Sequence, residues 1–143
     1  MKEIYDFSCW VIKYDTVSIY NKRYRKGSIR NPDDTLVALL WNHIHNDPSS
    51  VLGIALLEHR EDGIFAYCTL HDTPYKEGVL KELQYNRGSL SLSPYVSRVE
   101  MGKDYINKGT IVEVSLVFER VDPGEAYYPV LREEKNNDTF HNS

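Results

Sequence analysis

The chain has 143 residues, of which 41% are hydrophobic and 27% are charged, a composition that suits one globular domain with a substantial core. Its formal net charge of −4 argues against a dedicated nucleic-acid binder, which usually carries a basic surface. Every apolar run is far shorter than the roughly 20 residues that a membrane helix needs, and the first residues show no signal-peptide pattern, so we expect a cytoplasmic protein with no membrane partner.

The first third of the chain has mainly strand patterns. Residues 4–20 mix aromatic and β-branched residues, which predicts one or two strands. NKRYRKGSIR, residues 21–30, predicts a solvated loop or, alternatively, a docking patch for an acidic partner. TLVALLW, residues 35–41, is apolar at both alternating positions and predicts a strand buried on both faces.

The middle of the chain predicts a hairpin followed by one helix. VLGIALLE and IFAYCTL flank the segment HREDG, whose Asp62-Gly63 pair is a typical hairpin turn. Thr73 and Pro74 fit the N-cap and the first position of a helix, and Gly88 would end it.

Cys9 and Cys68 lie in apolar stretches and form no CxxC motif, which predicts two buried thiols and leaves a disulfide open.

Two more strands are predicted in the last third. In SLSLSPYVSRV, residues 89–99, the serines alternate with leucines and occupy the opposite face. TIVEVSLVF, residues 110–118, is a second strand pattern. The polar segment REEKNNDTFHNS predicts a disordered tail over residues 132–143, after a domain covering residues 1–131. The sum predicts an α+β fold, mostly β, with about one clear helix.

Two histidines follow directly after the predicted apolar strand of residues 35–41, in the sequence LLWNHIHNDP. Residues two apart on an extended chain share a face, so His43 and His45 could both reach one metal ion. Asp47 would join them only if the strand continued, but Asp47 and Pro48 start a turn. An HxH pair alone is weak evidence, so we expect no metal; polar residues at a strand end are the simpler interpretation.

An acid and a serine could act together with such a histidine. Glu113 lies between two valines, and if its face is covered the carboxylate needs a partner such as histidine; a solvent face or a basic partner is the alternative. Ser93 precedes Pro94, which cannot donate to a sheet ladder, so the strand must be bulged, ending or at an edge. That is a plausible place for an exposed nucleophile, although a solvent-facing row of serines explains the pattern equally.

Four segments in order resemble the phage prohead proteases, the serine proteases of capsid maturation, which are distantly similar to the herpesvirus assembly proteases. They span roughly residues 6–127 and read DFSCWVIKYD, LVALLWNHIHNDPSSVLGIALLEHREDGIFAYCTL, LSPYVSRV and IVEVSLVFERVDPGE. The resemblance implies an α+β fold built around a mostly antiparallel β-barrel with a few flanking helices. It also implies a serine endopeptidase that cleaves scaffold protein, or the scaffolding segment of the major capsid protein, inside an assembling procapsid in the bacterial cytoplasm.

The same resemblance implies the roles of individual residues. His43, which follows Trp41 and Asn42, matches the catalytic histidine, Ser93 matches the nucleophile with Ser91 as the fallback, and Glu113 matches the third member of a triad. No cofactor or metal is implied, and self-association is possible. Pro94 stands where the family usually has an apolar residue, which leaves open an inactive homologue that binds scaffold protein. A metal-dependent hydrolase using His43 and His45 is the less favoured alternative.

Overall fold

The computed structural model describes residues 2–16, 23–118, 129–132 and 134–136. These ranges contain one α-helix, α1 (Lys76–Tyr85), and no helix in them is long and apolar enough to cross a membrane. Nine strands make up most of the rest: β1 (Lys2–Ile4), β2 (Phe7–Lys13), β3 (Leu36–Trp41), β4 (Val51–Arg60), β5 (Gly63–Leu70), β6 (Ser91–Met101), β7 (Ile106–Val117), β8 (Val130–Leu131) and β9 (Glu134–Asn136). The predicted α+β class with mostly strands is confirmed.

Seven of these strands form one sheet in the order β6-β7-β3-β4-β5-β2-β8, and β1 pairs separately with β9. Neighbouring strands are antiparallel except for β3 and β7, which run parallel. β2 and β6 also contact each other, although four strands separate them in the sheet order, so the sheet is strongly curled. It remains an open sheet with β6 and β8 at its ends, and the closed barrel stays a prediction.

The inside of the curled sheet holds the hydrophobic core. Its fully buried members come from most strands of the sheet and include Phe7, Leu39, Leu57, Leu92 and Leu116. The prediction that residues 35–41 are buried on both faces is wrong for the start of β3, where exposed and buried residues alternate. Leu36 is 63% exposed while Val37 is buried, because only one face of this part of β3 is covered.

The two cysteines lie buried in this core and are not joined in a disulfide, which agrees with the predicted buried thiols. Cys9 and Cys68 stand on the adjacent strands β2 and β5, where Cys9 pairs with Ala66 and Cys68 with Phe7. Burial raises the pKa of the Cys68 thiol well above its ordinary value, with Cys9 adding to the effect. The Cys68 side chain therefore acts as a small apolar group at neutral pH.

The predicted hairpin is confirmed, but its turn is shifted by one residue. Arg60 pairs with Gly63, so the two-residue turn is Glu61-Asp62. Gly63 is needed for another reason, because a Cβ there would clash with the backbone carbonyl of Ile12 on β2. The glycine therefore serves the close approach of two strands and not the turn itself.

The helix begins later than the sequence suggests. Tyr75 occupies the N-cap position of α1 without a side-chain cap, and Thr73 Oγ1 accepts a hydrogen bond from Tyr75 N at 3.3 Å in the turn before it. The helix ends at Tyr85, and Gly88 lies in a short 3₁₀ turn, Arg87–Ser89. The predicted cap at Thr73 is thus wrong by two residues, because Thr73 stabilises a turn instead.

The basic stretch of residues 21–30 is not a solvated loop where the structure describes it. Tyr24 and Ile29 are buried and form parallel bridges to Ile106 and Gly109. Two of its described cations contact this same chain: Arg25 lies 4.0 Å from the Tyr105 ring centroid, and Arg30 pairs with Glu100 at 2.6 Å. These contacts reduce the charge that the stretch could offer to an acidic partner.

Part of the segment that we expected to be a disordered tail is ordered. Glu134–Asn136 forms β9 against β1, and Lys135 Nζ pairs with Glu58 Oε2 at 3.2 Å. Backbone pairing and this ion pair explain the order despite the polar composition. The rest of the predicted tail, residues 133 and 137–143, lies outside the described residues, as do residues 17–20 of the first predicted strands and the DPGE segment.

Gly53 and Gly78 offer a matched test of the sheet packing. A Cβ on Gly53 in β4 would clash with the carbonyl of Thr69, whereas one on Gly78 in α1 would meet nothing within 4 Å. We expect Gly53→Ala to lower the free energy of unfolding by about 3 kcal/mol, the upper part of the usual range for overpacking. Gly78→Ala should raise it by about 0.5–1 kcal/mol through helix propensity. Urea unfolding followed by circular dichroism measures both; a stable Gly53→Ala variant would contradict the close approach of β4 and β5.

Candidate catalytic site

A tight turn at the end of β3 carries the first histidine. Asn42 and His43 both have left-handed backbone conformations, with φ of 52° and 56°, and Ile44 N donates to Trp41 O at 3.1 Å. Two positive φ angles and this closing bond define a type I′ turn. A left-handed histidine costs roughly 1–2 kcal/mol, and strain of this kind collects at functional sites. Asn42 N also donates to Leu116 O at 3.1 Å, which fastens the turn to β7.

The turn places His43 against two polar side chains of β7. His43 Nδ1 lies 2.5 Å from Glu113 Oε1, and His43 N donates to Ser115 Oγ at 2.9 Å. Ser115 Oγ in turn donates to Glu113 Oε2 at 2.8 Å. Glu113 is only 3% exposed, so of the alternatives that the sequence left open, the solvent-facing carboxylate is wrong and the covered carboxylate with a histidine partner is the one found.

The pKa of Glu113 keeps this carboxyl ionised, so that it can act as a negatively charged partner of His43. Burial alone raises the pKa of this carboxyl, but hydrogen bonds with His43, His45 and Ser115 outweigh burial and leave the pKa below its ordinary value. Glu113 is therefore a carboxylate at neutral pH, and as an acceptor it favours the tautomer with the proton on Nδ1 of His43. That tautomer leaves the Nε2 lone pair of His43 free to take a proton.

Ser93 lies one strand away from this pair. In the antiparallel register Ser93 faces Ser115 and Tyr95 faces Glu113, and directly opposed residues share a face with Cβ atoms about 4.5–5.5 Å apart. Among the hydrogen bonds of residues 23–118, none joins Ser93 to His43. The structure therefore brings Ser93 onto the same face as the His43–Glu113 pair without a direct bond to it.

The expectation that Ser93 is exposed is wrong. The predicted opposite faces are seen, since Leu92 joins the core while Ser93 shares the face of Glu113 and Ser115. That face is covered by the histidine turn, and Ser93 is 1% exposed. β6 does not end at the proline, because Pro94 pairs with Val114. Of the three alternatives, the structure shows a strand at the end of the sheet with a shift in register just after it, between Tyr95 and Val96.

The second histidine completes a three-residue cluster. His45 Nε2 lies 3.1 Å from Glu113 Oε1, and the His45 ring packs edge-on against Tyr95 at 4.9 Å between centroids. The possible ligand atoms of His43, His45 and Glu113 all lie within 4.8 Å of one another. Asp47 is not a member, because its carboxylate accepts from Ser49 N at 3.0 Å and caps the 3₁₀ turn Pro48–Ser50.

Sequence reasoning gave Ser115 no role, although Ser115 bonds to Glu113. It placed His43 and His45 within reach of one metal ion but did not anticipate that His45 also bonds to Glu113. The signal for Ser115 was present, since a residue two positions after Glu113 on a strand shares its face. The contact of His45 depends on the turn geometry and had no comparable signal.

Comparison with protein-family models, with curated proteins and with solved structures found no match to this chain. A buried carboxylate that holds one nitrogen of an imidazole creates a general base, and a serine on the same face offers a nucleophile. The same three donors, two imidazoles and a carboxylate, are also ligands that zinc prefers.

Proposed function

We propose that this chain is a serine endopeptidase that works by acyl transfer, of the kind found in prohead proteases. The single observation that carries the proposal is the partly buried contact of 2.5 Å between Glu113 Oε1 and His43 Nδ1, on the face that also holds Ser93. A carboxylate, an imidazole and a serine in this order form the usual triad of serine hydrolases. The proposal assigns Glu113 as the orienting acid, His43 as the base and Ser93 as the nucleophile.

In the proposed reaction, Ser93 Oγ attacks the scissile carbonyl carbon while Nε2 of His43 takes its proton. The same proton then passes to the leaving amine, and an acyl-enzyme remains on Ser93. Water, deprotonated by His43, hydrolyses this ester and restores the serine. Pro94 has no backbone N–H, so donors to the oxyanion must come from other residues.

The proposed substrate is scaffold protein or the scaffolding segment of the major capsid protein, within an assembling procapsid in a bacterial cytoplasm. Four sequence segments that resemble prohead proteases support it, and so does a curled sheet that is compatible with the implied barrel. A hollow of about 560 Å³ borders the histidine turn and is lined mainly by apolar groups, including Trp41, Ile44, Leu52, Val79 and Phe118. We propose that it receives an apolar side chain of the substrate.

The experiment is an intact-mass measurement of the cognate scaffold or capsid protein after incubation with the purified chain. Defined fragments whose formation survives a metal chelator are the expected result. A substrate that remains whole under conditions where it binds the chain would contradict the peptidase. Fragments that vanish with the chelator would point instead to the metal-dependent hydrolase.

A second candidate function is a catalytically inactive assembly factor on the same fold. It is favoured by the 1% exposure of Ser93 and by Pro94 beside it, since a peptide carbonyl must reach the nucleophile. This candidate would bind scaffold or capsid protein without cutting it. Co-sedimentation with procapsids, together with an unchanged intact mass, would distinguish it from the peptidase.

A further inference from the structure

We propose that His43, His45 and Glu113 form a binding site for a divalent transition-metal ion of the zinc class, and that the ion blocks the peptidase. Two imidazole nitrogens and one carboxylate oxygen converge, with all three possible ligand atoms within 4.8 Å of one another. Such a two-histidine, one-carboxylate set with an open fourth position is typical of zinc sites. Imidazole donors favour zinc, copper or nickel over magnesium and calcium, which prefer oxygen ligands.

The distances between the donors are close to those of a metal site. For zinc bonds of about 2.0–2.1 Å in a tetrahedron, ligand atoms stand about 3.3 Å apart. His45 Nε2 and Glu113 Oε1 are 3.1 Å apart, and His43 Nδ1 and Glu113 Oε1 are 2.5 Å apart. An ion therefore requires the His43–Glu113 contact to open by less than 1 Å. The nitrogens of the two histidines, which lie within 4.8 Å of each other, must also approach the spacing of about 3.3 Å.

Neighbouring side chains orient the three candidate ligands, and the partly exposed histidines leave the site accessible to an ion from solvent. Ser115 Oγ donates to Glu113 Oε2 at 2.8 Å, and Tyr95 packs against the His45 ring at 4.9 Å. Partners of this kind hold metal ligands in place. The side chain of Glu113 is 4% exposed, whereas those of His43 and His45 are 24% and 45% exposed. An ion can thus enter from the histidine side and keep a water molecule there.

Metal binding and base catalysis need opposite tautomers of His43. The base requires the proton on Nδ1, where Glu113 accepts it, and the lone pair on Nε2. A metal ion at Nδ1 takes the lone pair of that nitrogen, so the proton moves to Nε2 and the ring can no longer accept the serine proton. This inhibitory consequence rests on the proposed function, whereas the metal site itself does not.

The binding test uses the full chain and zinc chloride, in competition with a chromophoric chelator. We expect one zinc ion per chain, and at least about 100-fold weaker binding by His45→Gln, since even the loss of an outer partner usually costs about 10–100-fold. The matched control is His71→Gln, because His71 is an exposed histidine outside the cluster; its affinity should equal that of the unchanged protein. Circular dichroism checks that both variants fold. Absence of stoichiometric binding, or equal affinities of the two variants, would overturn the site.

The activity test separates the site from the proposed function. We expect zinc at a tenfold excess over its dissociation constant to reduce cleavage about tenfold, and a chelator to restore it. Cleavage that needs zinc would overturn both the inhibitory role and the serine mechanism. Stoichiometric zinc binding that depends on His45, in a chain that never cleaves scaffold or capsid protein, would support the metal site and reject the proposed function.

Discussion

Ser93→Ala should abolish proteolysis of the scaffold or capsid substrate while the chain remains folded. If Ser93 Oγ forms the acyl-enzyme, its removal leaves no nucleophile for His43 to activate, and the rate should fall by about 10⁶-fold, as in a serine protease that loses its serine. The serine is buried, and its replacement by alanine removes one oxygen without altering the sheet. Intact mass of the substrate, taken over a time course, measures the loss directly.

Two serines on the same strand provide the controls. Ser97 pairs with Thr110 beyond the bulge of β6, outside the candidate site, so Ser97→Ala should cleave at the rate of the unchanged chain. Ser91 shares the face of Ser93 two residues earlier, where a shift of two keeps the side chain on that face. Full activity of Ser93→Ala, together with loss of activity in Ser91→Ala, would move the nucleophile to Ser91; activity in both variants would reject the serine mechanism.

The positions of most strands could be predicted from the sequence because they depend on the pattern of neighbouring residues. Alternating apolar residues and β-branched runs located β4, β5, β6 and β7 to within a few residues, since a strand needs only a period of two. Leu92 and Ser93 were also placed correctly on opposite faces of β6. The order of the strands in the sheet could not be predicted. β3 pairs with β7, which lies some 70 residues later, and no local sequence pattern determines which strands pair.

Exposure was the least predictable property, and Leu36 and Ser93 show why. An apolar run predicted burial for Leu36, and a proline predicted exposure for Ser93; both predictions are wrong, with exposures of 63% and 1%. Each depends on what covers that face of the sheet. For Ser93 the cover includes the His43 turn, which hydrogen-bonds to Ser115 on the same face, and this is a tertiary contact that strand periodicity cannot supply.

The kind of pair at the centre of the site could be predicted because its chemistry is strongly constrained. A carboxylate in an apolar strand must be paired if it is buried, and histidine was the natural kind of partner. That the histidine is His43 was implied only by the resemblance to prohead proteases. The left-handed turn at Asn42 and His43 could not be anticipated, because neither residue is a glycine and the conformation is imposed by bonds to β7. That turn brings His45 to the same carboxylate, and so creates the additional metal-binding potential.

Glu113→Gln should reduce the cleavage rate by about 10⁴-fold and leave measurable residual turnover. The amide can donate to Nδ1 of His43, which selects the tautomer with the proton on Nε2 and removes the base; the corresponding change of the orienting acid to its amide in a known serine protease costs about that much. The charge that stabilises the imidazolium is lost as well. Single-turnover rates with the scaffold or capsid substrate give the size of the effect, and nitrogen NMR of the His43 ring reports the change of tautomer.

Glu58→Gln is the matched control for the acid. Glu58 is another partly buried glutamate on the sheet, paired with Arg60 Nε at 2.6 Å and with Lys135 Nζ at 3.2 Å, and it has no contact with the histidines. Its replacement should lower the free energy of unfolding without altering the cleavage rate or the His43 tautomer. If Glu113→Gln behaves like Glu58→Gln, with only stability reduced, then Glu113 is a structural partner of two histidines and no orienting acid. A tautomer change that accompanies the loss of rate is an effect that a purely structural glutamate would not produce.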